Sequence, residues 1–312
     1  MYYFRVNGMA AVPMISISMN VDKHNYTTRL IRSIDYPVEH LFIQIGNSEY
    51  DIVKTIVDRI ESDGVNKYIS KVSISTLDFN PGAAKGFNFG LRHLSQSNHS
   101  WILIVNSDIA FYPGTLKRIT KNVNFELHND TKFGIGFTNL CCGGEWSAVA
   151  FTHRLVNEVG YFDENFYPAY YEDDDYAMRV HYSTFQAKRF EDTHLIHGHH
   201  NGSEEYHSGI KNELYERPQS TASVRLWKEA FELGCVKSRV YFESKWGLNL
   251  TRSGNKPIMN CKTVLAMNSL CHSPFTVPFN NTLYNLSYWM MTKEVETRIR
   301  KHMRKNTSSI DF

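Results

Sequence analysis

Four short apolar runs constrain the fold more than any other feature of this sequence. They are PMISISMN (13 to 20), HLFIQIGNS (40 to 48), KVSISTL (71 to 77) and WILIVNSD (101 to 108). Each ends in a polar turn, and stretches that read as helix lie between them. Residues 26 to 33 form a short helix. Ile52, Val53, Ile56, Val57 and Ile60 recur at helical spacing, and a third helix is expected from Phe87 to Leu94. WILIVN carries no polar alternation, as expected of a strand buried on both faces. Strand and helix in alternation predict an α/β fold with a doubly wound, mostly parallel sheet. A chain of 312 residues with 42% apolar residues can build one large domain of this kind, or a domain with a substantial extension. Such sheets bind ligands beyond the carboxyl ends of their strands.

The alternation weakens after about residue 205. Residues 220 to 234 read as a helix with a terminal glycine, residues 245 to 290 have no clean period, and residues 291 to 306 read as a basic helix. That last helix is either a solvated terminus or a contact for a membrane surface or an acidic partner. No apolar run has the length of a transmembrane helix, and MYYFRVNGMAAVPMISISMN does not read as a signal peptide. A net charge of +2 gives no bulk attraction for nucleic acid. Five irregularly spaced cysteines fit neither a disulfide framework nor a zinc ribbon. Reduced thiols, and a cytoplasmic protein that is soluble or peripheral at a membrane, are the expectation.

Four clusters carry candidate chemistry. DFNPGAAKGFNFGL (78 to 91) concentrates glycine and asparagine where a strand passes into a helix, which suits either a plain turn or a close backbone approach to a phosphate. VNSDIAFYPGTL (105 to 116) sets Asp108 directly after a buried strand, as a turn residue or a hard-cation ligand. GYFDENFYPAYYEDDDYAMRVH (160 to 181) places four adjacent acids at the start of a helix. One acid suffices to complement the helix dipole, so the excess points to a further task. THLIHGHHNGS (193 to 203) reads as a loop with four histidines, which are ligands or proton carriers; zinc lacks cysteine partners there.

In this order the clusters resemble the GT-A glycosyltransferases of family 2, and within it the rhamnosyltransferase and galactofuranosyltransferase-like branch. The resemblance rests on Asn80, Gly82, Ala84, Gly86, Asn88 and Gly90; on Asn106, Asp108, Pro113, Gly114 and Leu116; on Gly160, Phe162, Asp163, Glu164 and Phe166; on Glu172, Asp173, Asp175 and Arg179; and on His197. It covers roughly residues 12 to 203. It implies a catalytic GT-A domain over residues 1–204 and a C-terminal extension, mostly helical or irregular, over 205–312.

The resemblance further implies an inverting, metal-dependent transfer from a UDP-, dTDP- or GDP-linked sugar to a glycan or glycoconjugate hydroxyl. Asp108 and His197 would hold Mn2+ or Mg2+, and the imidazole would favour Mn2+. Asp173 would be the catalytic base. Glu172 and Asp175 would orient the acceptor or brace the loop. Asn80, Gly82, Lys85, Asn88, Asn106 and Ser107 would line the donor. Where the family carries an aspartate that reads the nucleotide base, this sequence has Ile45-Gly46-Asn47-Ser48, which leaves Asn47 for that contact. Asn106 stands where the metal motif usually has its first acid. Trp146, in CCGGEWSAV, is either a stacking surface for the acceptor sugar or core packing. These departures keep a second reading open, an inactive module that binds nucleotide-sugars or glycans. A metal phosphohydrolase would need a second carboxylate cluster at a strand end, and the sequence offers no clear one.

Overall fold

The computed structural model describes residues 5–6, 9–19, 26–46, 58, 65–77, 79, 81–140, 145–167, 169–197, 238–239, 241–242 and 245–246. The chain divides into two compact units, one of Met1–Pro81, Lys85–Tyr161 and Val180–Ser220, the other of Gly82–Ala84, Phe162–Arg179 and Thr221–Phe312. The boundary expected at 204/205, the helices expected at 50 to 62, 220 to 234 and 291 to 306, and the aperiodic stretch 245 to 290 fall wholly or largely outside the described residues.

The first unit contains the four strands the alternation predicts, and others it does not. A small ribbon pairs β1 (Arg5–Val6) with β2 (Met9–Ala10). The main sheet contains β3 (Val12–Met19), β4 (Val38–Ile45), β5 (Ile69–Thr76), β6 (Trp101–Asn106), β7 (Ile109–Phe111), β8 (Phe133–Leu140), β9 (Ala148–Thr152) and β10 (Gln186–His197). Its order is β5-β4-β3-β6-β9-β8-β10-β7. Four of its seven pairings are parallel: β3 with β4 and β6, β4 with β5, and β8 with β10. The other three are antiparallel, β9 with β6 and β8, and β7 with β10.

The chain winds outward from β3 through β4 to β5, then returns to lay β6 on the other side of β3. The crevice between the carboxyl ends of β3 and β6 is therefore the topological switch point, where open α/β sheets bind ligands. Val12, Ile15, Ile17, Leu41, Ile43, Leu103 and Val105 are buried in the central strands. The edge strand β5 keeps Ser70 and Lys71 exposed, which protects its free edge.

Among the described residues, four helices accompany the sheet: α1 (Tyr26–Arg32), α2 (Gly82–Ser95), α3 (Thr115–Asn129) and α4 (His153–Val159). The amphipathic α3 buries Leu116, Ile119 and Val123 in the core. The helix expected from Phe87 begins instead at Gly82, so the glycine-rich stretch is helix and not loop. Packing overrides propensity here. A β-carbon on Gly86 would stand 2.8 Å from Ser18 Cβ, and one on Gly90 2.6 Å from Ser16 Cβ. Each glycine costs a helix about 1 kcal/mol relative to alanine. At this i, i+4 spacing the two let α2 lie against the small serines of β3.

The histidine stretch also differs from expectation. It is the end of β10 and not a loop, because Leu195, Ile196 and His197 pair with Phe111, Ala110 and Ile109 of β7. Among the described residues no helix is long and apolar enough to cross a membrane.

Candidate active site

Backbone register assembles the first cluster. β6 ends at Asn106, and the chain turns through Ser107 and Asp108 into β7. Because β7 pairs antiparallel with β10, His197 lies opposite Ile109, the neighbour of Asp108. His197 Nε2 is 3.2 Å from Asp108 Oδ1, and Asp108 is only 8% exposed. Ser147 Oγ lies 3.4 Å from each ring nitrogen of His197 and 3.4 Å from Asn106 Nδ2, which donates to it. Arg29 Nη2 on α1 donates to the Asp108 carbonyl oxygen at 3.2 Å. A buried carboxylate and an imidazole face to face form a mixed oxygen and nitrogen donor pair, and such a pair fits a small divalent cation. Among the described residues no group of three His, Cys, Asp or Glu side chains could hold a metal ion.

The second unit holds the acid turn. The helix α5 (Glu172–His181) has Glu172, Asp173, Asp174 and Asp175 in its first turn. Tyr170 and Tyr171 lead into it at φ 76° and 70°. Left-handed backbone at a bulky residue costs on the order of 1–3 kcal/mol and collects at functional sites. The carboxylates then divide sharply. Asp175 is fully buried and both its oxygens are committed: Oδ1 to Lys245 Nζ at 2.7 Å and Trp246 Nε1 at 3.0 Å, Oδ2 to Arg179 Nε at 3.0 Å. Asp163 accepts from Lys245 Nζ and Tyr241 Oη, each at 2.8 Å, and from the Asn165 amide at 2.9 Å. Burial alone would raise its pKa, but the Lys245 charge and these bonds outweigh burial and hold it below the ordinary carboxylate range.

The other three acids shift the opposite way. Burial, reinforced by the Asp173 charge, pushes Glu172 well above its usual value, and Glu172 Oε2 is buried without a hydrogen-bond partner among the described residues. Burial raises Asp173, although Asp173 Oδ1 accepts from the Asp174 amide at 2.9 Å. Asp174 is pushed up to about 7 by burial and by its neighbours Asp173 and Asp175. A buried acid held near neutrality is suited to moving a proton.

No family model matches the chain. A galactofuranosyl glycosyltransferase of Leishmania donovani is 22% identical, with 55% of this chain and 52% of that protein covered. The chain thus spans about half the length of the curated relative it matches. Among solved structures, the mannosyltransferase PcManGT from Pyrobaculum calidifontis, in complex with GDP-Man and Mn2+, is 13% identical at a TM-score of 0.49, covering 93% of this chain and 84% of that one. GalNAc-T7 with UDP, GalNAc and Mn2+ is 9% identical at 0.48, covering 84% and 55%. S. aureus TarS 1–349 with UDP-GlcNAc is 15% identical at 0.44, covering 74% and 72%.

The remaining candidates are dispersed. Asn47, Asn80, His199 and His200 lie outside the described residues. Gly82 opens α2 with φ +73°, Asn88 is fully buried on that helix, and Lys85 Nζ stands 4.9 Å over the Phe79 ring. His194 is exposed on β10. Trp146 packs edge-on against Phe137 at 5.0 Å and lies 6.3 Å from Phe151. Sequence reasoning missed Arg29, Ser147, Tyr241, Lys245 and Trp246. The last three do carry one signal: with Phe242 they fall at i, i+1, i+4 and i+5, one face of a helix.

Proposed function

We propose that this chain is a glycosyltransferase that moves a sugar from a nucleoside-diphosphate donor to a hydroxyl of a glycan or glycoconjugate, with inversion and with a divalent metal. The observation that carries the reading is the Asp108–His197 pair, 3.2 Å apart beyond the carboxyl end of β6. Its support comes from the ordered motifs of the sequence and from the likeness to a galactofuranosyl glycosyltransferase.

Asp108 and His197 would hold the metal, and Mn2+ suits the imidazole better than Mg2+. When bound, that ion neutralises charge on the departing nucleoside diphosphate. Asn106 and Ser107 belong to the donor side, with Asn47, Asn80, Gly82, Lys85 and Asn88. On the acceptor side, Asp173 takes the proton of the attacking hydroxyl. The new glycosidic bond forms as the bond to the diphosphate breaks, on the opposite face of the sugar, so configuration inverts. A carboxylate raised by burial binds that proton better than an ordinary aspartate does, which strengthens it as a base. Glu172 and Trp146 fall to acceptor orientation, and Asp175, fully buried with both oxygens committed, to loop support.

The test is a donor panel. The full chain is incubated with Mn2+ and UDP-, GDP- and dTDP-sugars, and nucleoside diphosphate release is followed with and without chelator. Chelator-sensitive release from one donor is the expected outcome. Metal-dependent nucleotide binding without release, from every donor and with glycan acceptors supplied, would favour the inactive binding module, which Asn106 in the metal motif motivates.

A further inference from the structure

We propose that Lys245 is a positioning residue: one half-buried ammonium ties the two ends of the segment from Asp163 to Asp175 together and so fixes where Asp173 points. The inference rests on the glycosyltransferase reading for its consequence, and on the second unit's own geometry for its mechanism.

Lys245 Nζ reaches Asp163 Oδ2 at 2.8 Å and Asp175 Oδ1 at 2.7 Å. Those two acids bracket the segment that carries Tyr170 and Tyr171 in left-handed backbone and then Glu172 and Asp173. Strained backbone persists only where its surroundings over-determine it. The helical residues that supply Lys245 also supply the packing. Tyr241 meets Phe166 edge-on at 5.0 Å, Phe242 packs tilted against Tyr171 at 5.5 Å, and Trp246 Nε1 donates to Asp175. All four are helical residues, spaced i, i+1, i+4 and i+5. Charge is balanced inside the clamp, with Lys245 and Arg179 against Asp163 and Asp175. Among the described residues no lysine or arginine pairs with Glu172, Asp173 or Asp174 in the same turn. The clamp therefore holds a group of raised acids in place without neutralising them. A shift of about 1 Å in a reacting group costs on the order of 100-fold in rate, so an ion pair that touches no substrate can still govern turnover.

The experiment uses the full chain with Lys245→Met, Lys245→Arg and the charge-balanced pair Lys245→Met/Asp163→Asn. The pair leaves no orphaned Asp163 and keeps Asp175 with Arg179, which guards against simple unfolding. Three quantities are read: donor affinity in the presence of Mn2+, kcat for transfer, and amide hydrogen exchange across residues 163–175. The expected result for the charge-balanced pair is cooperative melting, donor affinity within about twofold, kcat lower by on the order of 100-fold, and faster exchange confined to that segment. Lys245→Arg should recover most of the kcat. Unchanged kcat and unchanged exchange in a folded charge-balanced variant overturn the proposal. So does a loss of kcat that arginine fails to rescue and that donor affinity follows in parallel. If the parent chain turns over no donor, the glycosyltransferase reading fails by itself, and the exchange data still decide whether Lys245 orders the segment.

Discussion

Glu39 and Asp174 are both acids that burial pushes up to about 7, yet they sit in opposite settings. Glu39 lies near the amino end of β4 with His99 Nδ1 3.9 Å away. Burial, then Lys71, lowers the pKa of His99. The same patch includes His40, which burial, Lys71 and the neighbouring histidines lower to about 4, and which bonds Ser73 Oγ at 2.9 Å. Asp174 belongs instead to a turn where three consecutive acids are all raised, on a helix entered through left-handed backbone. A raised acid alone does not mark a site. Company and place do: a structural patch at the amino end of a strand, against a cluster of acids raised by burial at a helix start.

Asp173→Asn should break that contrast most severely. If the turn performs base chemistry, transfer falls by about 10²–10⁴-fold while melting temperature and donor affinity hold. The acid limb of the rate profile should go with it. In the parent chain that limb is expected above the ordinary aspartate range of about 4, because burial raises Asp173 and transfer needs it deprotonated. Joint loss of fold and donor affinity would make Asp173 structural. Asp108→Asn comes next, with an expected loss of about 10²–10³-fold, comparable to removing one electrostatic stabiliser from an active site. The release that remains should no longer respond to chelator, and unchanged chelator sensitivity would remove Asp108 from the metal's shell.

Gly86→Ala acts on the scaffold alone. The added carbon would meet the Ser18 side chain, so helix or strand must shift, and overpacking of this kind costs about 1–3 kcal/mol. Denaturant melts should show the loss, and Gly86→Ala with Ser18→Gly should recover part of it. An undiminished midpoint would mean that α2 slides freely on β3.

The part of this design that was legible in the sequence is the part set by local pattern. WILIVN announces a strand buried on both faces, and Asp108 follows it directly, so the strand end and its carboxylate could be read together. The acids of α5 were legible as a first turn. What was not legible depends on partners distant in the chain. Nothing near His197 states that it will lie opposite Ile109; the β7–β10 register decides that. Lys245 is an ordinary lysine until Asp163 and Asp175 are brought to it. Gly86 looks like a loop residue because the reason for it, Ser18 of β3, lies on another element.

The smallest effect expected is the most direct control on the opening contrast. The folded pKa of Glu39 is about 7, above the value of 4.5 taken for the unfolded chain. Below about pH 4.5 the group is protonated in both states and its ionisation costs nothing. As pH rises toward 7 the unfolded chain has already released the proton while the folded chain still holds it, so stability falls, and above 7 the cost is complete. Glu39→Gln should therefore match the parent at pH 4 and exceed it at pH 8. Partial exposure of the site keeps the gain under about 1 kcal/mol. His40 pulls in the reverse direction, since its depressed pKa adds stability above about 6.5 that is lost as pH falls toward 4. The gain from Glu39→Gln should thus be read as a difference between variants across pH, not from the parent curve. If Glu39→Gln also lowers transfer, the amino end of the sheet is not merely structural, and proximity of raised acids ceases to separate the two regions.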